Sequence, residues 1–494
     1  MIIVHAGSEV VPYSKTGGLA DVLGALPLSL ADRGHQVIIV SPLYPSVADK
    51  YKPVREPLSL SIRLDAQVHT ADVYSIAVNE HATAYFIAND ALFSRDGLYV
   101  DKNGIDYPDN AQRFIFFSRA VLVLLKKLGI KPDIIHTHDW QSGLVPVYMK
   151  ALERDYYRGT VSVFTIHNIG YQGTFWHFDM PLTGLGWEYF TSDYLEFYGK
   201  LSLLKAGIVF ADAVTTVSPT YSREILTPAF GYRMDGVLKT RQHDLFGILN
   251  GVDYAQWDPA QDRFIPHQYT RETLDMKQSN KVTLNKMFNL DTTDAPVIGM
   301  ITRLAQQKGI DLLLGSINRI LSMGFKLVLL GSGDKVYEDR VQKIAAGHSG
   351  RMSVRIGFDN SLAHLIEAGA DVFLMPSVYE PCGLNQMYSL KYGTVPVVST
   401  TGGLNDTVME YNPSSEQGNG FKFEPQNAED MLAALRKVLD AYHDRQRWQR
   451  LIRAGMAYDF SWKRSAADYE LLYKAYLIRS YLHGFRDANG STNT

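Results

Sequence analysis

The feature that most constrains this chain is a repeated unit. A short apolar run is followed by a turn carrying glycine or polar residues, and then by an amphipathic helix. It is first met at Ile2-Ile-Val-His-Ala6, which leads through the glycine turn of 7–22 into a helix reaching about Arg33. Strand, glycine turn and helix in this order open a doubly wound domain. A second strand follows at 37–41, with further ones near 84–88, 133–136, 161–166, 213–217 and 246–249, and helices over 109–128 and 201–209. Unbroken apolar strands alternating with helices predict an α/β fold whose parallel sheet is covered on both faces. The pattern then starts afresh at 297–301 and continues with strands at 326–330, 353–356, 372–375 and 395–399. Between the two runs, 254–275 is rich in Asp, Gln, Pro and Arg without apolar periodicity and reads as a linker. A length of 494 residues exceeds what one hydrophobic core supports. The prediction is therefore two doubly wound, Rossmann-like domains.

Ligands of open α/β sheets bind outside the carboxyl ends of the strands, so the strand-end residues carry the functional reading. In Pro376-Ser-Val-Tyr-Glu-Pro-Cys-Gly-Leu-Asn-Gln386, Glu380 follows the apolar run 370–375 and precedes a helix at 387–392. Cys382, Gly383 and Leu384 then offer unpaired N–H groups at a helix start, where oxygen-rich anionic ligands bind. Arg303 and Lys308, just past the strand 297–301, suit a diphosphate clamp, Arg bidentate and Lys as a point charge. Either cation alone would read as a solvated loop residue. Phe358 ends a strand and suits either a nucleotide base or the core. In the first half, Gly17-Gly18 permits close backbone approach at a helix start, with Lys15 placed to meet a phosphate. The loop is neither G-x-G-x-x-G nor a Walker loop, so neither nicotinamide chemistry nor ATP hydrolysis is expected. Thr401-Gly-Gly-Leu-Asn-Asp406 echoes Thr16-Gly-Gly-Leu-Ala-Asp21 and is the one internal similarity in the chain.

Two polar clusters end strands of the first half. In His136-Thr-His-Asp-Trp140 the spacing His-x-His invites a metal reading. The expectation is against it, on the reading that the two histidines point to opposite faces of the strand. Asp139 and Trp140 suit a sugar instead, a carboxylate for hydroxyls and an indole face for the ring. The second cluster is Phe164-Thr-Ile-His-Asn-Ile-Gly-Tyr171, where His167 reads as structural or as catalytic, at a strand end of the kind that binds ligands.

The balance of 49 Lys plus Arg against 52 Asp plus Glu leaves a net charge of −3 with no polybasic run, so nucleic acid and anionic membranes are not expected as partners. Cys382 is the single cysteine, which excludes an intrachain disulfide and suits a reducing compartment. Met1 opens directly onto a strand and no apolar run approaches the ~20 residues of a membrane span. A protein of the bacterial cytoplasm, or of the plastid stroma if a processed mature form, is expected. The tail from about Arg486 is expected to fray.

Eight motifs in order carry a family resemblance: Lys15-Thr-Gly-Gly-Leu-Ala-Asp-Val22, Tyr107-Pro-Asp-Asn-Ala-Gln-Arg-Phe114, Thr137-His-Asp-Trp140, Thr165-Ile-His-Asn168, Leu203-Leu-Lys-Ala-Gly207, Ala211-Asp-Ala-Val-Thr-Thr-Val-Ser-Pro219, Ile248-Leu-Asn-Gly-Val-Asp253 and Glu380-Pro-Cys-Gly-Leu384. With these the chain resembles bacterial glycogen synthases and plant-type starch synthases, from about Met1 to the helix after Trp462. The resemblance implies the GT-B glycosyltransferase architecture, two Rossmann-like domains facing a deep cleft, and a retaining transfer of glucose from ADP-glucose to the non-reducing end of an α-1,4-glucan. It implies domains at 1–253 (acceptor side) and 276–465 (nucleotide-sugar side) joined by 254–275, with a C-terminal helix and tail, 466–494, packed back on the first. By motif position, Lys15, Arg303 and Lys308 would hold the diphosphate beside Gly17 and Gly18. Phe358 would pack on the adenine, where relatives commonly carry Tyr. Glu380 would bind the glucose and stabilise the cationic transition state, with Cys382, Gly383 and Leu384 beside it on the donor. His167 and Asn250 would contact the glucose, and Glu9, Asp21, Asp139 and Trp140 would line the donor-sugar and acceptor region.

No metal or other cofactor is expected, since the chain has no Asp-x-Asp pair of the kind that metal-dependent glycosyltransferases use. Charge on the departing ADP would fall to fixed cations and helix N-termini. The sequence departs from the family pattern at Phe93 (usually Tyr), Gln141 (commonly His) and Asn405 (frequently Ala). Two other readings keep parts of this frame: a transferase with a small acceptor, and a glucan-binding protein with weak catalysis. The motifs around Asp139 and 107–114 speak against the first. The intact set Lys15, Arg303, Lys308 and Glu380 speaks against the second.

Overall fold

The computed structural model describes residues 1–490, with side chains described through Leu482, so the tail expected to fray from about Arg486 lies beyond the described side chains. The chain forms two compact units: Met1–Val217, Ser222–Gly251 and the stretch from Trp462 make the first, Ser218–Tyr221 and Val252–Ser461 the second.

The first unit is built on a nine-stranded sheet in the order Leu245–Gly247, Ala213–Thr216, Val161–Ile166, Ile134–His138, Ile2–Ala6, Gln36–Pro42, Ala82–Ala88, Gln67–Asn79, Val54–Leu64. The first seven run parallel. Their buried apolar stretches were legible as strands because helices cover both faces. The last two form an antiparallel ribbon on the edge. Its burial alternates from residue to residue, so it lacks the continuous apolar run that marks a central strand. A small sheet of Thr174–Trp176, Lys200–Ser202 and Glu196–Phe197 was likewise not foreseen. The long helix Trp462–Gly490 belongs to this unit, where Trp462, Tyr469 and Tyr473 pack into one core with Ile3, Leu26 and Ile134.

In the second unit six parallel strands stand in the order Met352–Ile356, Lys326–Gly331, Val297–Ile301, Val372–Met375, Val395–Ser399, Phe421–Phe423. By chain order this is 3-2-1-4-5-6, the doubly wound arrangement whose ligand crevice opens where the order reverses, between strands one and four. The stretch 254–275 departs from its reading as a linker. It is part of this unit, and three apolar anchors, Ile265, Tyr269 and Leu274, sink into the core. Its polar residues are bonded rather than solvated. The buried Asp262 carboxylate is hydrogen-bonded to His364 Nδ1 at 2.7 Å and Tyr392 Oη at 2.6 Å. Trp257 stacks between the rings of His364 and Tyr388, with centroids 3.8 and 4.0 Å away. No described helix is long and apolar enough to cross a membrane.

Candidate active site

The reversal point of the second sheet carries the polar residues singled out in that half. Strand Val297–Ile301 delivers Thr302, Arg303 and Lys308, and strand Val372–Met375 delivers Ser377 and Glu380. They line a cavity of about 190 Å³ together with Gly383, Leu384 and Asn385. Glu380 is 7% exposed. Its Oε2 receives Lys308 Nζ at 2.5 Å and the Ser377 hydroxyl at 3.0 Å. A carboxylate at this depth needs such partners, because an unpaired charge out of water costs several kcal/mol. The two loops also lock to one another. Gln307 donates its amide to the Tyr379 carbonyl at 3.2 Å, accepts from the Val378 N–H at 2.8 Å and accepts from Arg303 at 3.3 Å. Asn385 donates to the Ile301 carbonyl at 2.8 Å. Gly309 lies at φ +70°, and a Cβ there would sit 1.8 Å from the Pro376 carbonyl oxygen, so only glycine lets Lys308 reach Glu380 from this loop.

Two other residues of this half resolve differently. Phe358 is 85% exposed, so of the two readings open to it the core one falls and a free aromatic face remains. Cys382 is buried at 5% exposure and is not in the cavity lining; its carbonyl accepts from the Gln386 amide at 3.1 Å.

In the first unit the glycine turn closes around Glu9. Its carboxylate accepts from the backbone N–H of Thr16, from the Thr16 hydroxyl at 3.0 Å and from the Gly17 N–H at 3.2 Å. Burial raises the Glu9 pKa, and these hydrogen bonds work in the opposite direction. Lys15 Nζ pairs with Asp21 at 2.6 Å, the lysine side chain remaining about half exposed. Gly18 begins the helix Gly18–Ala31, and a Cβ there would meet only open space. Asn250 is 7% exposed, and its amide oxygen is buried without a partner among the described residues.

The two polar clusters come together through neighbouring strands. Asp139 sits at φ +54° and accepts the His167 N–H at 2.8 Å; burial pushes its pKa up to about 7. His138 Nδ1 lies 3.0 Å from His167 Nε2, and His138 Nε2 lies 3.1 Å from His5 Nδ1. Sequence reasoning passed over His5, and placed His136 and His138 on opposite faces. The structure corrects this: the two rings stack with centroids 4.2 Å apart, because residues two apart on a strand share a face. One nitrogen each of His5, His136 and His138 falls within 4.8 Å of the others. His136 spends both nitrogens on hydroxyls, Tyr473 at 2.7 Å and Thr165 at 2.5 Å. Trp140 also departs from its reading. It is 8% exposed, edge-on to Phe114 at 4.9 Å and close to Phe175 at 5.5 Å, and Gly173 has no room for a Cβ against it. The indole is packed into the core and does not present a free face.

Comparison with known proteins gives the same partition. Residues 2–240 match the model of the starch synthase catalytic domain, and residues 283–454 that of glycosyl transferases group 1. The glycogen synthase of Koribacter versatilis is 46% identical over 483 residues, covering 97% of this chain and 99% of the relative. That of Anaeromyxobacter dehalogenans is 48% identical over 481 residues, covering 96% and 99%. Among solved structures, the catalytic domain of starch synthase IV from Arabidopsis thaliana bound to ADP and acarbose aligns with a TM-score of 0.87 at 33% identity, covering 96% of this chain and 99% of that one.

Proposed function

Because this chain belongs to the family of glycogen and starch synthases, GT-B glycosyltransferases of two Rossmann-like units, we propose that it moves glucose from ADP-glucose to the non-reducing end of an α-1,4-glucan with retention of configuration. The observation that carries this reading is the buried Glu380–Ser377 pair at the sheet reversal with the half-buried Lys308 bonded to it, and Arg303 on the same cavity wall. Departure of ADP leaves positive charge on the sugar and negative charge on the β-phosphate. Glu380 meets the first through Oε1, which takes no hydrogen bond from the described residues, while Lys308 and Arg303 meet the second. Before donor arrives, Lys308 and Glu380 neutralise each other. A diphosphate at Lys308 is the natural competitor for that pair.

The exposed ring of Phe358 supplies a stacking face for the adenine, and the Gly383 and Leu384 backbone lines the donor cavity. Lys15, Gly17 and Gly18 take the diphosphate role of their motif. His167 and Asn250 take the glucose contacts, and Glu9, Asp21 and Asp139 the acceptor region. In this reading the fixed cations act without a metal or other cofactor, nucleotide sugar and glucan are the binding partners, and the bacterial cytoplasm is the compartment. The test is to incubate the protein with ADP-glucose labelled in the glucose and with maltoheptaose. The expected product is a lengthened chain whose label is released by an exo-acting α-1,4-glucanase working from the non-reducing end. Label confined to a disaccharide would establish the small-acceptor reading, and glucan binding without transfer the weakly catalytic one.

A further inference from the structure

The three histidines His5, His138 and His167 stand on neighbouring strands or at their ends, and form a chain of ring-to-ring hydrogen bonds leading from the core to the candidate site. Burial holds all three neutral, pushing His5 and His167 down to about 3 and His138 well below its ordinary value. A neutral imidazole has one N–H and one lone pair. His138 uses both nitrogens within the chain, so both hydrogen bonds must run in the same direction. Only two arrangements exist. If the protons point inward, His167 Nε2 donates to His138, His138 Nε2 donates to His5, and His5 keeps its own proton on Nε2. If they point outward, His5 Nδ1 donates to His138, His138 Nδ1 donates to His167, and the His167 proton sits on Nδ1.

The inner end decides between them. His5 Nε2 is buried and has no hydrogen-bond partner among the described residues. The inward arrangement would leave an N–H unpaired there, the outward one only a lone pair. Orphaned buried N–H groups are the rarer and costlier case. We propose that His5 and His138 are positioning residues that hold His167 as its Nδ1–H tautomer, so that it presents a hydrogen-bond donor to an oxygen of the transferred sugar. The nitrogen at one end of a histidine sets the state of the other by the bond it makes, and here that setting passes through two rings. The sugar as the recipient rests on the function proposed above; the tautomer itself does not.

Two variants separate an outward from an inward chain. His5→Asn places an amide N–H where Nδ1–H stood and can still donate to His138. His5→Asp offers His138 a carboxylate, which only accepts, and so reverses the chain. The experiment is a long-range 1H–15N spectrum of the full-length protein labelled with 15N-histidine, with His167→Gln identifying the His167 signals by their loss. Glucosyl transfer is followed in parallel. The expected result is a pyrrole-type Nδ1 and pyridine-type Nε2 for His167 in the wild type and in His5→Asn, exchanged in His5→Asp. With the exchange, kcat should fall about tenfold or more while donor KM stays within about twofold, and His5→Asn should keep most of the activity. A pyridine-type Nδ1 at His167 in the wild type overturns the proposal whatever the activity. So does a His5→Asp protein whose His167 signals match the wild type. The expected tautomers together with undiminished transfer in His167→Gln would leave the relay standing and remove the sugar contact.

Discussion

The two Thr-Gly-Gly loops, nearly identical in sequence, need their glycines for opposite reasons. At Gly17 and Gly18 in the first unit, an added Cβ would come no nearer than 3.9 Å to Glu9 in one case and meet nothing in the other. The glycines there leave space that the protein does not fill. At Gly402, with φ +43°, a Cβ would sit 1.9 Å from the Glu380 carbonyl oxygen; at Gly403 it would sit 2.1 Å from that of Cys382. The Gly403 N–H donates to the Glu380 and Pro381 carbonyls at 3.2 and 3.1 Å. The second pair of glycines is filled by protein, and the filling is the loop that carries Glu380. One motif therefore leaves open space at its helix start, and the other presses the loop that carries Glu380 into place.

This contrast sets the order of effects. Removing the carboxylate itself comes first: Glu380→Ala should lower kcat by roughly a hundredfold or more with the fold intact, the cost of about 3 kcal/mol of transition-state stabilisation. A rate within about threefold of wild type would take Glu380 out of the chemistry. Next is the packed loop. Gly403→Ala, a helix position where alanine is otherwise the better residue, should destabilise by at least about 2 kcal/mol, through overpacking against backbone, and should lower kcat through Glu380. Thermal unfolding and turnover together check it. Gly18→Ala is the matching change in the open loop. It should leave stability within about 0.5 kcal/mol and act on donor KM alone, by about tenfold if one close contact of about 1.4 kcal/mol is lost. Equal destabilisation in both loops would erase the distinction.

A further contrast separates the units by pH. His5, His136 and His138 are fully buried and hold their pKa values far below 6.5. The unfolded chain takes up their protons as pH falls through about 6.5, the folded chain does not, and stability is lost in that direction. Asp139, raised to about 7 from 3.8, works against this: the folded chain holds its proton between those values while the unfolded chain releases it. With His167, also held down to about 3 by burial, four protons stand against one, with Glu9 adding part of another, and the net loss is about 3 kcal/mol per pH unit below roughly pH 6. Hydrogen exchange at pH 4.5 should show the first unit's central strands losing protection before those of the second. Asp139→Asn should steepen the loss. The opposite order of exchange would contradict the burial of the histidines as neutral groups.

Much of the second unit's site was legible because its residues follow directly on two strand ends. The apolar run before Pro376 marks a buried strand, and what comes directly after such a strand in a doubly wound sheet faces the ligand. Glu380, Arg303 and Lys308 needed no knowledge of packing. The first unit's site depends on strand order, which the sequence does not display. His5, His138 and His167 lie on or just past three strands that become neighbours only when the sheet forms. The parity of a strand decides that His136 and His138 share a side, and misjudging it hid the cluster. Trp140 and the stretch 254–275 misled for a related reason. An aromatic beside a carboxylate resembles a sugar platform until Phe114 and Phe175 arrive from elsewhere in the chain, and a polar stretch resembles a linker until Asp262 meets His364 and Tyr392.

The measurement that bears most directly on the central claim is nucleoside diphosphate release from ADP-glucose with glycogen and EDTA present, comparing wild type, Glu380→Ala and Lys308→Ala. The account predicts glucan-dependent release of ADP that persists in EDTA and falls by roughly a hundredfold in each variant. Release abolished by EDTA and restored by a divalent ion would contradict a clamp made of fixed cations. Undiminished release in Glu380→Ala would contradict the site.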